Sequence, residues 1–145
     1  MTDPTDPHDL QRFVDAQASV IESAKRELRS GRKRTHWMWF VFPQLEGLGR
    51  SPRSRRYAIG SREEADAYLS HPVLGPRLCE CTGIVNGLED RSATEVFGSP
   101  DDLKFRSSMT LFAAVADDPD PFDTALERYY DGEPDSKTLE LLADA

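Results

Sequence analysis

Cysteine is nearly absent: the 145-residue chain has two, Cys79 and Cys81. On a helix, a spacing of two points them to different faces, which suits neither a disulfide nor a shared metal, so both read as core thiols. Histidine is as sparse. His8, His36 and His71 are far apart without metal-ligand spacing, and GxGxxG, P-loop, HExxH and GxSxG patterns are all missing. Metal and dinucleotide folds of the common kinds are not expected, nor is a cofactor. No apolar run approaches the roughly eighteen residues of a membrane-spanning helix, so no membrane association is expected. The start, "MTDPTDPHDL", has neither a basic beginning nor an apolar stretch, so no signal peptide and a cytoplasmic location are expected. Lysine numbers 4 against 14 arginines, a bias that fits a GC-rich bacterial genome. Repeats and low-complexity tracts are also absent.

What remains is an acidic chain of single-domain size, net charge −8, with 38% hydrophobic and 30% charged residues. The charge is unevenly spread. Between Lys25 and Arg62 stand 11 Lys/Arg and 2 Asp/Glu, a local +9, which leaves −17 for the rest. Such separation suits an anionic partner for the basic part, and it equally suits mutual neutralisation in the fold. Inside this segment "RKRTHWMWFVFPQLEGLGR" holds both tryptophans and a run of six large apolar residues.

Residues 1–6 read as a polar tail and 7–145 as one domain. Asp6 and Pro7 open a helix whose apolar residues recur from Leu10 to Leu28, with Gly31 as its stop. "HWMWFVF" lacks polar alternation and fits a short buried helix or a strand, with helix favoured by its helical neighbours; Pro43 ends it. Gln44 to Arg56, rich in Gly, Pro, Ser and Arg, reads as a long loop, followed by a short strand near Tyr57–Ile59. Ser61 with Glu64, His71-Pro72, Ser92 with Glu95, Ser99-Pro100, Asp120-Pro121 and Asp135-Ser136 each mark a helix start. The pattern predicts a mainly α domain of six to eight helices around a central apolar helix near 101–116.

"HWMWFVFPQLEGLG", "EADAYLSHPVLGPRLCEC" and "PDDLKFRSSMTLF", in this order and spacing, resemble the bacterial family called domain of unknown function 1810, over about Leu10 to Leu142. The resemblance implies a mainly α-helical fold and brings no established activity or site residue, so function rests on the residues.

On a helical wheel of residues 103–116, Lys104 and Ser108 interrupt the apolar face one turn apart. They suit one bound phosphate or carboxylate near a helix N-terminus, and they equally suit a lysine that snorkels and a serine that bonds the preceding turn. His36 can act as acid, base or anion donor, or pack in the core. Trp37 or Trp39 can stack a flat ring or fill the core. Gln44, beyond Pro43, fits a pocket wall or a turn. Arg50, Arg53, Arg55 and Arg56, with Tyr57, place guanidinium forks on the loop, a suitable chemistry for phosphates. The expectation is a cleft where His36, Trp37, Trp39, Gln44, Arg55, Tyr57, Lys104 and Ser108 meet a small phosphate-bearing ligand, nucleotide or ADP-ribose-like, with hydrolysis by water the first reaction class to consider. The rival is an interaction module whose basic 25–62 segment binds RNA or an acidic protein surface. Oligomeric state is not legible.

Overall fold

Helix punctuation written in the sequence fixes most element ends in the computed structural model, which describes residues 6–49 and 51–144. The Asp6 carboxylate accepts from Leu10 N at 2.8 Å and Gln11 N at 2.9 Å, so Asp6 belongs to the fold. The expected single helix from Pro7 to Gly31 is two helices. Asp9, at φ 51°, delays the start, so α1 covers Gln11–Ala18, and a break at Ser19–Val20 precedes α2, Ile21–Arg29. The break turns Ile21, Ala24 and Leu28 onto the core while Gln17 on α1 stays buried. Gln17 Nε2 donates to Phe40 O (2.7 Å) and Tyr68 Oη (3.1 Å), which satisfies an amide at 1% exposure.

The aromatic stretch forms the one-turn helix α3, Met38–Val41. The segment from Gln44 to Arg56 is not all loop. Ser51 Oγ accepts from Ser54 N, and Pro52 occupies the first helical position, so α4 spans Pro52–Arg56. The strand expected near Tyr57–Ile59 reduces to one parallel bridge between Leu45 and Ile59, with Ile59 N donating to Gln44 O and Glu46 N to Ile59 O, each at 2.8 Å. Then follow α5 (Arg62–Ser70), α6 (Leu74–Asn86), α7 (Ala93–Phe97), α8 (Asp101–Val115), α9 (Phe122–Tyr130) and α10 (Ser136–Asp144). Ten helices thus stand among the described residues, against the six to eight expected. The split first helix and α4 account for the excess.

Several expected caps hold up, whereas α8 and α9 start at Pro100 and Pro121 without a side-chain cap from Ser99 or Asp120. Ser61 Oγ accepts from Glu64 N, His71 Nδ1 accepts from Val73 N and Leu74 N, and Ser92 with Glu95 closes a reciprocal capping box. The fold is mainly α, and α8 is its centre, packed against α5, α7, α9 and α10. Phe105, Met109, Leu111 and Phe112 of α8 are fully buried. Phe105 stacks on Phe97 at 4.6 Å and meets Phe42 edge-on at 5.0 Å, so α8, α7 and the end of α3 share one aromatic core. Each such buried ring contributes about 1.5–3 kcal/mol. Cys79 is exposed and Cys81 buried, both free; burial pushes the Cys81 thiol up to about 12, so it is neutral. No helix among the described residues is long and apolar enough to cross a membrane.

Candidate functional site

One cleft of about 320 Å³ lies between the Gln44–Gly49 segment with α4, the first turns of α8, and the start of α10. Its α8 wall is a helical stripe, Pro100, Leu103, Lys104 and Ser107, at i, i+3, i+4 and i+7. Opposite stand Gln44, Leu48, Gly49 and Ser54, and Lys137 closes the rim. Gln44, Gly49 and Ser54 also border a small cavity of about 10 Å³ beneath the cleft, shared with Trp39 and Tyr57.

Local chemistry explains the wall. Trp39 Nε1 donates to Ser54 Oγ at 3.1 Å, which fastens α4 to α3. A Cβ at Gly49 would run into Cβ and Oγ of Ser54, so the close approach requires glycine. Gly47, at φ 104°, turns the chain against Leu141 of α10. On the far side Asp135 Oδ2 accepts from Thr138 N (3.0 Å) and Thr138 Oγ1 (2.6 Å), fixing the start of α10.

Electrostatically, the cleft stands beside two cations sharing one carboxylate. Lys33 Nζ lies 2.8 Å from Asp101 Oδ2 and Lys104 Nζ 2.9 Å from Asp101 Oδ1, with side chains 8%, 17% and 23% exposed in the order Lys33, Asp101, Lys104. Burial opposes ionisation of Asp101, but the two ammonium groups outweigh it and hold its pKa below the usual range. Each lysine also lies over an indole. Lys104 Nζ is 4.6 Å from the Trp39 ring centroid and Lys33 Nζ 5.4 Å from that of Trp37.

Glu27 supports this arrangement from behind. Its carboxylate accepts from Thr35 Oγ1 (2.6 Å), Arg34 N (2.6 Å), Thr35 N (2.9 Å) and Trp37 Nε1 (3.0 Å). Burial alone would raise its pKa; these bonds overcome that and bring it to about 2.

Of the residues singled out in the sequence, Trp39, Gln44, Tyr57 and Lys104 come together at the cleft and the cavity beneath it. The others do not. Trp37 is 0% exposed with its N–H committed to Glu27, so it has no free face for a ring. Ser108 is also 0% exposed, turned into the core, and its Oγ has no partner among the described residues. The polar residue on the cleft side of that turn is Ser107, whose Oγ donates to Leu103 O at 3.1 Å. His36 is exposed in a bend away from the cleft, and Arg55 is exposed on α4 outside its lining. Arg50 lies outside the described residues.

Sequence reasoning missed Lys33, Ser54, Asp101 and Glu27. The pairing of Asp101 with Lys104 at i, i+3 was available as a signal, and Ser51-Pro52 was a cap pattern announcing α4. No local pattern announces the approach of Lys33 to Asp101. Among the described residues no group of three or more His, Cys, Asp or Glu is placed to hold a metal ion.

None of the curated proteins compared with the chain matches it. A solved structure, that of the conserved hypothetical protein Rv1873 from Mycobacterium tuberculosis, is 61% identical, covers 95% of this chain and 99% of its own, and superposes with a TM-score of 0.94. The sequence profile of the family described as "Protein of unknown function (DUF1810)" matches residues 7–142, nearly the whole described fold, and the chain belongs to that family.

Proposed function

We propose that the cleft binds a small phosphate-bearing ligand, of the nucleotide or ADP-ribose kind, in the bacterial cytoplasm. The observation that carries this reading is the charge at and behind its wall: the lining carries Lys104 and Lys137 against the single carboxylate of Asp135, and behind it Lys104 shares Asp101 with Lys33, so one positive charge is left over in a partly buried place. An uncompensated cation with little access to water is costly, and an anion in the cleft relieves that cost. Shape supports the same reading. Leu48, Leu103 and the proline ring of Pro100 give apolar surface beside Lys104, Lys137, Asp135, Gln44 and Ser54, the mixture of apolar lining and few convergent polar groups typical of small-molecule sites. The Trp39 ring, with the Lys104 ammonium over it at 4.6 Å, holds that ammonium in place.

The proposal is one of binding. A hydrolytic step would draw its base from Asp101 or Asp135, and both carboxylates are engaged, the first by two lysines and the second as the cap of α10.

A thermal-shift screen of nucleotides, ADP-ribose and sugar phosphates tests the reading. A ligand at one hundred times its Kd adds about 2.7 kcal/mol to the native state, which for a domain of this size is a rise of roughly 5–10 °C. If no compound at millimolar concentration gives a saturable rise, the proposal is wrong.

A further inference from the structure

Lys33 and Asp101 are absent from the lining of the cleft. Lys33 borders a separate groove of about 440 Å³ with Arg32 and Arg91, and Asp101 opens the first turn of α8 outside the cleft lining. Yet the state of Lys104, which does line the cleft, depends on both. Asp101 is one negative charge divided between two ammonium groups at 2.8 and 2.9 Å. The share that Lys33 takes is a share that Lys104 lacks.

We infer that Asp101 and Lys33 set the anion affinity of the cleft from outside it, Asp101 as a competitor for Lys104 and Lys33 as the residue that weakens this competition. The inference rests on the reading of the cleft as an anion site. Asp101 occupies an ammonium hydrogen of Lys104 that an incoming oxyanion would use, and its charge repels that oxyanion. Lys33, by holding the other carboxylate oxygen and cancelling the charge, leaves Lys104 with net cationic character. The backbone fixes the geometry on both sides: Lys33 N donates to Val96 O at 2.6 Å just before α8 begins, and Tyr130 Oη donates to Asp102 O in its first turn. The charged groups around Lys33 on the groove side, Arg32, Arg91 and Glu95, are all exposed and screened by solvent.

Counting the three groups alone, the wild type carries +1, Lys33→Met carries 0, Asp101→Asn carries +2, and the double variant returns to +1. Affinity for an anion should follow that order. This sign pattern separates the electrostatic role from a structural one, because damage to the fold would make the double variant worse than either single change, not restore it.

The experiment is calorimetric titration of inorganic pyrophosphate and of AMP into the full chain and the three variants at low ionic strength. Circular dichroism and melting checks accompany it. Expected is binding weakened about five- to tenfold in Lys33→Met, tightened by a similar factor in Asp101→Asn, and near wild type in the double variant, with the spread shrinking as salt is raised. If Asp101→Asn does not fold, the weakening in Lys33→Met and its reversal in the double variant decide the matter. Wild-type binding that is indifferent to Lys33→Met, or not restored by the second change, overturns this inference and leaves the anion site standing. A wild type that takes up neither pyrophosphate nor AMP overturns the anion site and this inference together.

Discussion

Replacing Lys104 by methionine removes the only charge that the α8 stripe presents to the cleft while keeping most of the side-chain stem. Three interactions change in the unliganded protein. The contact with Asp101 is lost, but Lys33 still holds that carboxylate at 2.8 Å, so no buried charge is left alone. A pair whose lysine is 23% exposed is worth at most about 1 kcal/mol. The ammonium over Trp39 is lost as well, worth about 0.5–1 kcal/mol, and a thioether near the same ring recovers about 0.3–1.5 kcal/mol. Stability therefore shifts by less than about 2 kcal/mol, or roughly 6 °C in melting temperature. Binding changes on another scale. A charge-assisted hydrogen bond to a phosphate oxygen contributes about 1.5–3 kcal/mol, so the Kd of any compound found by the thermal screen should rise between about ten- and one-hundred-fold. Calorimetric titration of that compound, beside a melting curve of the free variant, measures both quantities. Unchanged affinity in a protein that melts normally would refute the placement of the anion at Lys104.

Glu27→Gln should lower stability by about 1–3 kcal/mol at pH 7, because four donors lose a charged acceptor. The wild-type carboxyl, lowered from 4.5 to about 2, contributes stability that is full above about pH 5 and disappears as pH falls through 2, so the melting temperatures of the two proteins should converge on acidification. Gly49→Ala should cost about 1–3 kcal/mol and release the Trp39–Ser54 bond, seen as altered tryptophan emission; wild-type stability would contradict the close approach of Gly49 to Ser54. Ser108→Ala should be neutral or slightly stabilising and leave ligand affinity unchanged, since its hydroxyl is buried without a partner, and a loss of binding would show that the cleft reaches deeper into α8. If Arg53, Arg55 and Arg56 on exposed α4 hold RNA, log affinity should fall with log salt with a slope of about −2, and a flat response removes the nucleic-acid reading.

Elements with a chemical stop or start were legible in the sequence. Ser61, His71, Ser92, Gly98 and Asp135 each place a helix boundary through a bond or a backbone angle that one residue type supplies. The break between α1 and α2 was not legible. It has no side-chain cap bond and no Gly or Pro, so nothing local in the sequence marks it. Lys104 was legible as a polar residue near an apolar face, whereas Ser108 was misplaced because a wheel shows angle but not which neighbour fills it. Here the cleft takes the Pro100–Ser107 stripe and the core takes Ser108. The Lys33–Asp101 contact is tertiary, made where the chain returns beside α7, and no spacing rule reports it.

The helix α4 buries none of its side chains. What holds it is a short set of polar ties: the Ser51 cap, the Trp39–Ser54 bond, and Arg12, whose Nε donates to Arg56 O at 2.9 Å and whose NH2 group donates to Ala58 O at 2.9 Å. The opposite wall, α8, runs through the middle of the aromatic core. The two walls of the cleft therefore differ widely in opening free energy. Amide hydrogens of α4 should exchange with solvent through local opening while those of α8 wait for global unfolding. A molecule that spans the walls would carry part of the rigidity of α8 across to α4, and its arrival would be read as slowed exchange in α4 alone.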